Sequence, residues 1–206
     1  IFGTNRYRMR SPENVVNEVA RLHDVYGVKT FKIIDELFVL NKAHFTAICE
    51  GIAALGYADE LNFWAYARID TVKPEHLKLL RSAGIQWLAL GIESGNADVR
   101  DDSVKTIGQQ DIIDTVRAIE DAGINIISNF IFGLPSDTEE TMRETLDLAK
   151  TLNCAFANFY ACMAYPGSGL YKTTPESDLP QTWSGYSQHS YDCCPLPTEA
   201  LNAAQV

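Results

Sequence analysis

From Ser11 onward, stretches with apolar residues every three or four positions give way to a glycine and then to short runs rich in β-branched and aromatic residues. Ser11-Pro12 reads as a cap followed by proline at the first helical position, and Val15, Val19, Leu22 and Tyr26 then share one helical face. A strand over residues 30–39 follows. Asn41 opens a second helix with Phe45, Ile48, Ile52 and Leu55 inward, Gly56 closes it, and residues 61–69 read as the next strand. Pro74 starts a third helix carrying Leu77, Leu80 and Ala83, and the strand over 85–92 runs into Glu93. A longer connection, 96–108, precedes a fourth helix with Ile112, Val116 and Ile119 and a strand over 124–132. Asp137 with Glu140 fits a capping box for a fifth helix with Met142, Leu146 and Ala149 inward, and 154–163 is the final strand.

Five helix-then-strand units spaced about thirty residues apart predict an α/β fold with right-handed crossovers and a parallel sheet. A closed eight-stranded barrel needs about 250 residues, so an open doubly wound sheet or a partial barrel is expected. The series begins with a helix, Ile1 stands where a methionine would begin a chain, and residues 198–206 read as a helix cut off after about two turns. The chain is therefore expected to be a fragment at both ends, with its first strand missing. Residues 1–171 form the predicted barrel. Residues 172–206, rich at first in Pro, Ser, Thr and aromatics, are expected to be a truncated C-terminal cover or linker.

A net charge of −10 over 206 residues offers no basic stripe for a phosphate backbone or an anionic membrane. No run approaches the roughly 20 apolar residues of a membrane helix, and the first ten residues are not a signal peptide, so a cytoplasmic setting is expected. Of the five cysteines, Cys49 falls among core positions, and Cys154 and Cys162 lie at or in a strand. Cys193-Cys194 are adjacent, and with Cys162 and His189 they lack the paired spacing of a zinc site. His23, His44 and His76 fall on helices as exposed or capping residues.

Chemistry gathers where the strands end, since ligands of parallel α/β folds sit at the carboxyl ends of strands. The ends carry Asp35-Glu36, then Arg68 and Asp70, then Glu93-Ser94 between Gly91 and Gly95, then Asn129 with Gly133-Leu134-Pro135, and last Tyr165-Pro166-Gly167-Ser168. Carboxylates accept hydrogens from a ribose diol or an ammonium, and arginine holds a carboxylate bidentately. Glycine turns let the backbone approach a flat base. A ligand with a ribose, an amino-acid end and an adenine uses all three.

In this order the segments 7–13, 33–38, 63–70, 91–96, 129–138 and 163–168 resemble the radical S-adenosylmethionine enzymes, in particular the subgroup often fused to a cobalamin-binding domain. The resemblance covers nearly the whole chain. It implies a partial (β/α)6 TIM-like barrel of parallel strands, present here from the second strand to the sixth. It implies that Asp35 and Glu36 hold the methionine amino group and that Glu93, with Ser94, binds the ribose. The resemblance further implies that Arg100 or Lys105 meets the methionine carboxylate and that Asn129 and Tyr165 border the adenine. Arg68 joins this cofactor-binding set from the strand-end chemistry.

The resemblance also implies, for a longer parent, a [4Fe-4S] cluster, a small-molecule substrate, a cobalamin-binding domain and a reductant protein. Its reaction would be radical hydrogen abstraction or cobalamin-assisted methyl transfer. The family's Cys-x3-Cys-x2-Cys segment is absent from this chain, and thiolate supply is the firm requirement of such a cluster. Alone, the chain is not expected to cleave the cofactor. The alternative expectation is a cluster-free S-adenosylmethionine-binding module or pseudoenzyme. Trp183 to His189 are expected either to cover the mouth of the barrel or to pack as a tail.

Overall fold

The computed structural model describes residues 8–100 and 107–206. Five helix–strand units follow one another: α1 (Pro12–Tyr26), β1 (Thr30–Lys32), α2 (Lys42–Ala53), β2 (Asn62–Arg68), α3 (Pro74–Ser82) and β3 (Ile85–Glu93). Then come the short α4 (Ala97–Arg100), α5 (Gln109–Asp121), β4 (Asn125–Phe132), α6 (Glu139–Leu152), β5 (Phe156–Ala161) and the short α7 (Gly169–Thr173). The strands pair in chain order β1-β2-β3-β4-β5, every pair parallel. With helices alternating between the strands, the sheet curls into a half-barrel, as expected for a partial TIM-like fold.

Alternation along the strands separates the two faces of this sheet. Phe63, Ala65 and Ala67 of β2, Leu88, Leu90 and Ile92 of β3, and Ile126 and Phe130 of β4 are buried in one core with the inward faces of α2, α3 and α5. Burying each large apolar side chain is worth roughly 1.5–3 kcal/mol, so the convex face holds the fold together. The concave face carries the other half of each strand: Trp64, Tyr66 and Arg68 of β2, and their partners Trp87, Ala89 and Gly91 of β3. That face is only partly covered.

Helix starts follow local chemistry. The Ser11 hydroxyl accepts from Asn14 N, and the Asn41 side chain accepts from His44 N. Six sequence expectations change. The strand predicted over 30–39 is ladder-paired only as Thr30–Lys32, with Ile33 N still donating to Trp64 O. Asp35 Oδ1 then accepts from Leu37 N at 3.0 Å, and this side-chain turn competes with the ladder. The last strand is likewise shorter than 154–163.

Helix α6 is capped by Thr138 and Thr141 rather than by Asp137 and Glu140. Asp137 is instead buried in the preceding loop, accepting from Leu134 N at 3.0 Å and from the Thr141 hydroxyl at 2.7 Å. Its buried face is Thr145, Leu148 and Leu152, with Leu146 exposed, because Thr145 turns inward to hold the loop after β3.

His76, expected to be exposed or capping, is buried and meets the Phe45 ring edge-on at 5.0 Å. Residues 198–206 are not helical: Thr198 Oγ1 accepts from Ala200 N and Leu201 N as a cap would, but Glu199 N is drawn to Pro135 O at 2.9 Å. Among the described residues no helix is long and apolar enough to cross a membrane.

Candidate active site

Side chains at the carboxyl end of the concave face stand in one row across four strands. The register sets Arg68 beside Gly91, Gly91 beside Asn129 and Asn129 beside Asn158. Gly91 leaves a gap in that row, and Glu93 fills it: a Cβ built on Gly91 would lie 2.5 Å from Glu93 Oε1. Glu93 reaches back because its own backbone is left-handed, with φ 67°, one of two such non-glycine residues among those described. This conformation costs on the order of 1–3 kcal/mol and is a marker of functional constraint. The β3–β4 register shifts at the same place, between Gly91 and Glu93.

Electrostatics in the row are balanced. Burial pushes the Glu93 carboxyl above the usual carboxylate range, and the Arg68 guanidinium pulls it partly back. Arg68 is itself held by Asp70, with Nε 3.0 Å from Oδ1 and Nη2 2.8 Å from Oδ2. The arginine is thus oriented by a bidentate partner from its own chain and offers Glu93 a fixed positive charge. Asn129 Nδ2 donates to Leu90 O at 3.1 Å, and Asn158 Nδ2 donates to Asn129 Oδ1 at 3.0 Å. Asn158 was not singled out in the sequence; its signal is a polar residue inside an otherwise apolar strand, in register with Asn129.

The remaining candidates divide. Asp35 and Glu36 sit on the loop between β1 and α2, tied to β2 by Ile33 N to Trp64 O and Phe38 N to Tyr66 O, so they border the same end of the sheet. Ser94 does not face the row. Its hydroxyl is fully buried and meets Thr145 Oγ1 at 3.2 Å, while Gly95 N donates to that same oxygen at 2.8 Å. Gly95 lies so close to α6 that a Cβ would be 2.6 Å from Glu144 O, which makes glycine obligatory there.

Arg100 donates to Ser94 O at 2.6 Å and to Ile107 O at 2.7 Å, bracing the long connection. Lys105 lies outside the described residues. Tyr165 stands past β5, its ring stacked on Tyr186 at 6.5 Å between centroids. Burial, and then the neighbouring Cys193, push its hydroxyl upward. Trp183 in turn meets Tyr186 at a tilt, with 5.9 Å between ring centroids.

Two shallow clefts lie elsewhere. One, of about 240 Å³, runs between Gly133, Leu170 and Pro197, and one of about 480 Å³ runs along α6 between Met142, Leu146 and Val206. Neither is lined by Glu93; the row is instead the open inner wall of the half-barrel.

The cysteines are free thiols scattered over the fold. Among the described residues no three of His, Cys, Asp and Glu come close enough together to hold a metal ion, so Cys162, Cys193, Cys194 and His189 do not assemble a zinc site. His189 packs edge-on against Tyr160 at 5.5 Å instead.

One family model, "Radical SAM superfamily", matches residues 2–149, the stretch that carries Arg68, Gly91, Glu93 and Asn129. The chain belongs to the radical S-adenosylmethionine superfamily. Radical SAM enzymes use S-adenosylmethionine and a [4Fe-4S] cluster. The chain is 30% identical over 188 residues to an uncharacterized methyltransferase of Pyrococcus horikoshii, covering 90% of this chain and 40% of the relative. It is also 30% identical over 168 residues to the anaerobic magnesium-protoporphyrin IX monomethyl ester cyclase of Cereibacter sphaeroides, covering 81% of this chain and 28% of the relative.

Among solved structures it is similar to the radical S-adenosylmethionine methyltransferase TsrM from Kitasatospora setae, determined with cobalamin and a [4Fe-4S] cluster bound. The TM-score is 0.68 and the identity 23%, over 75% of this chain and 29% of that one. This radical SAM chain therefore spans well under half the length of these relatives.

Proposed function

We propose that this chain is the S-adenosylmethionine-holding wall of a larger radical SAM enzyme that carries out cobalamin-assisted methyl transfer or radical hydrogen abstraction on a small molecule. The observation that carries the proposal is the Glu93 carboxyl, held over the bare Cα of Gly91 at the end of β3. A hydrogen-bond acceptor with no side chain beneath it suits a ribose diol lying flat against the sheet. The row fits the cofactor in charge as well. Asp35 and Glu36 border it with negative charge for the methionine ammonium. Asn129 and Tyr165 are proposed to border the adenine, with Asn158 holding the Asn129 amide. Lys105 is proposed for the methionine carboxylate. Ser94 acts through α6, positioning Glu93 rather than touching the ribose.

The iron–sulfur cluster is a different case. Its irons need three convergent thiolates, and the five cysteines of this chain do not converge. No step is therefore derived through a cluster held by these residues. When bound, S-adenosylmethionine supplies an activated methyl group and an adenosyl carbon. What the residues here do is orient its ribose and fix the charge beside it. A cobalamin-binding domain and a reductant protein belong to the proposed parent. Nothing observed favours the cluster-free module.

Titration calorimetry with S-adenosylmethionine tests the proposal. Binding by the chain, weakened roughly tenfold or more by Glu93→Gln, is the expected result. Equal affinity of the two proteins removes Glu93 from the cofactor site.

A further inference from the structure

Four residues before Arg68 and Gly91 on their strands, the concave wall changes character. Trp64 and Trp87 stand side by side, and Lys32 closes β1 opposite Trp64. The Lys32 ammonium lies 4.3 Å from the centroid of the Trp64 ring and 5.2 Å from that of Tyr66. The faces of both rings attract and localise that charge. None of the ion pairs among the described residues involves Lys32, which is exposed on the inner wall. The indole N–H of Trp64 is buried and donates to nothing among them. An orphaned buried donor is rare, and here it lies beside an unpaired cation.

Between this pair and the Arg68 row lies an apolar band: Tyr66, Ala89, Ile127 and Phe156 share one register across β2 to β5. Four strands at about 4.8 Å spacing make the band roughly 14 Å wide. Ala89 is its smallest side chain and is closed over by its neighbours, 2% exposed, whereas Phe156 at the edge of the band is 57% exposed.

We propose that Lys32 and Trp64 anchor a carboxylate of the substrate, and that the substrate is a flat apolar molecule whose body lies along this band. The carboxylate accepts from the Lys32 ammonium and from Trp64 Nε1–H, while the opposite edge of the molecule lies toward the Arg68–Gly91–Asn129 row. The anchor sits roughly 13 Å from Arg68 along β2, four residues at the strand rise. It therefore binds a part of the substrate remote from the reacting edge, where binding energy serves to orient it. The inference rests on reading this concave wall as the reaction chamber.

The test follows the three indole N–H resonances of the ¹⁵N-labelled chain, that of Trp64 being assigned with Trp64→Phe. The probes are naphthalene-2-carboxylate and neutral 2-naphthamide. The expected result is a shift of the Trp64 resonance by the carboxylate, with affinity roughly tenfold above that of the amide. Lys32→Met erases the difference, Lys32→Arg keeps it, and the resonance of exposed Trp183 stays in place. Equal affinity for the two probes, no shift at Trp64, or wild-type preference in Lys32→Met overturns the anchor. S-adenosylmethionine titration of the wild type, beside the probe titrations, separates the two readings. No cofactor binding with an intact carboxylate preference sinks the cofactor site alone, and the reverse sinks the anchor alone.

Discussion

Glu93 Oε1 stands 2.5 Å from where a Cβ on Gly91 would begin, so the carboxylate occupies space that only glycine leaves open. Gly91→Ala must push the Glu93 side chain aside. The obstructing atom is the end of a flexible side chain, so the fold survives. The carboxylate, however, no longer lies flat in the row. Stability is expected to change by about 1 kcal/mol or less, and S-adenosylmethionine affinity to fall roughly tenfold or more. Thermal melts and calorimetry on the same preparation check both; unchanged affinity would show that the Gly91 gap does not shape the cofactor site.

Protonation of Glu93 has a definite sign. Burial, opposed by Arg68, raises its folded-state pKa above the usual 4.5. The folded state therefore binds the proton more tightly than the unfolded state. Stability from this group is full below the unfolded pKa and declines as pH rises through the folded one. Glu93→Gln removes the titration. Denaturant midpoints of the two proteins are expected to diverge in favour of the glutamine variant as pH rises above the ordinary carboxyl value of 4.5. Parallel midpoints across that range would mean that Glu93 carries no such penalty.

How much of this was legible in the residues depends on the range of the interaction. The helix–strand series and parallel order followed from periodicity, because Phe63, Ala65 and Ala67, or Ile112, Val116 and Ile119, bury in a rhythm that the sequence displays. Glu93 was legible because two glycines frame it. Its left-handed backbone was not, since that depends on the register shift against Phe130. Ser94 looked equivalent to Glu93 one position away. Its direction is set by Thr145, fifty-one residues later, and no local pattern carries that. The Asp70 partner of Arg68 lay two residues off, yet a ligand and an internal carboxylate make the same demand on a guanidinium. Lys32 and Trp64 meet only through the β1–β2 register.

Thiol reactivity should follow burial. Burial is the main cause that pushes Cys49 up to about 12 and Cys162 up to about 11, whereas Cys194 is exposed. Since the thiolate is the nucleophile, iodoacetamide near pH 8 is expected to label Cys194 first and leave Cys49 and Cys162 unmodified until the chain unfolds. Peptide mapping by mass spectrometry reads the order. Early labelling of Cys49 would mean that α2 opens from the sheet. The same raised values predict that stability declines as pH climbs past the ordinary thiol value of 9.0, because ionisation then favours the unfolded chain.

Thr145 joins α6 to the loop that carries Glu93, through a single oxygen. Oγ1 accepts from Gly95 N at 2.8 Å, meets Ser94 Oγ at 3.2 Å and donates to Thr141 O at 3.0 Å, all in a buried place. Thr145→Val keeps the shape and deletes the oxygen, so Gly95 N–H and the Ser94 hydroxyl lose their shared partner. Leaving buried polar groups unsatisfied costs about 1–3 kcal/mol. Thr145→Ser keeps the oxygen and gives up one methyl, a loss of about 1 kcal/mol. Urea midpoints are therefore expected in the order wild type, serine, valine. If valine instead matched wild type, the three bonds would contribute nothing net, and packing of Gly95 against Glu144 and Thr145 would have to hold the loop. The valine variant also carries a functional expectation, because the loop that it loosens sets the backbone of Glu93. Its S-adenosylmethionine affinity should fall with its stability, whereas Thr145→Ser should retain wild-type affinity.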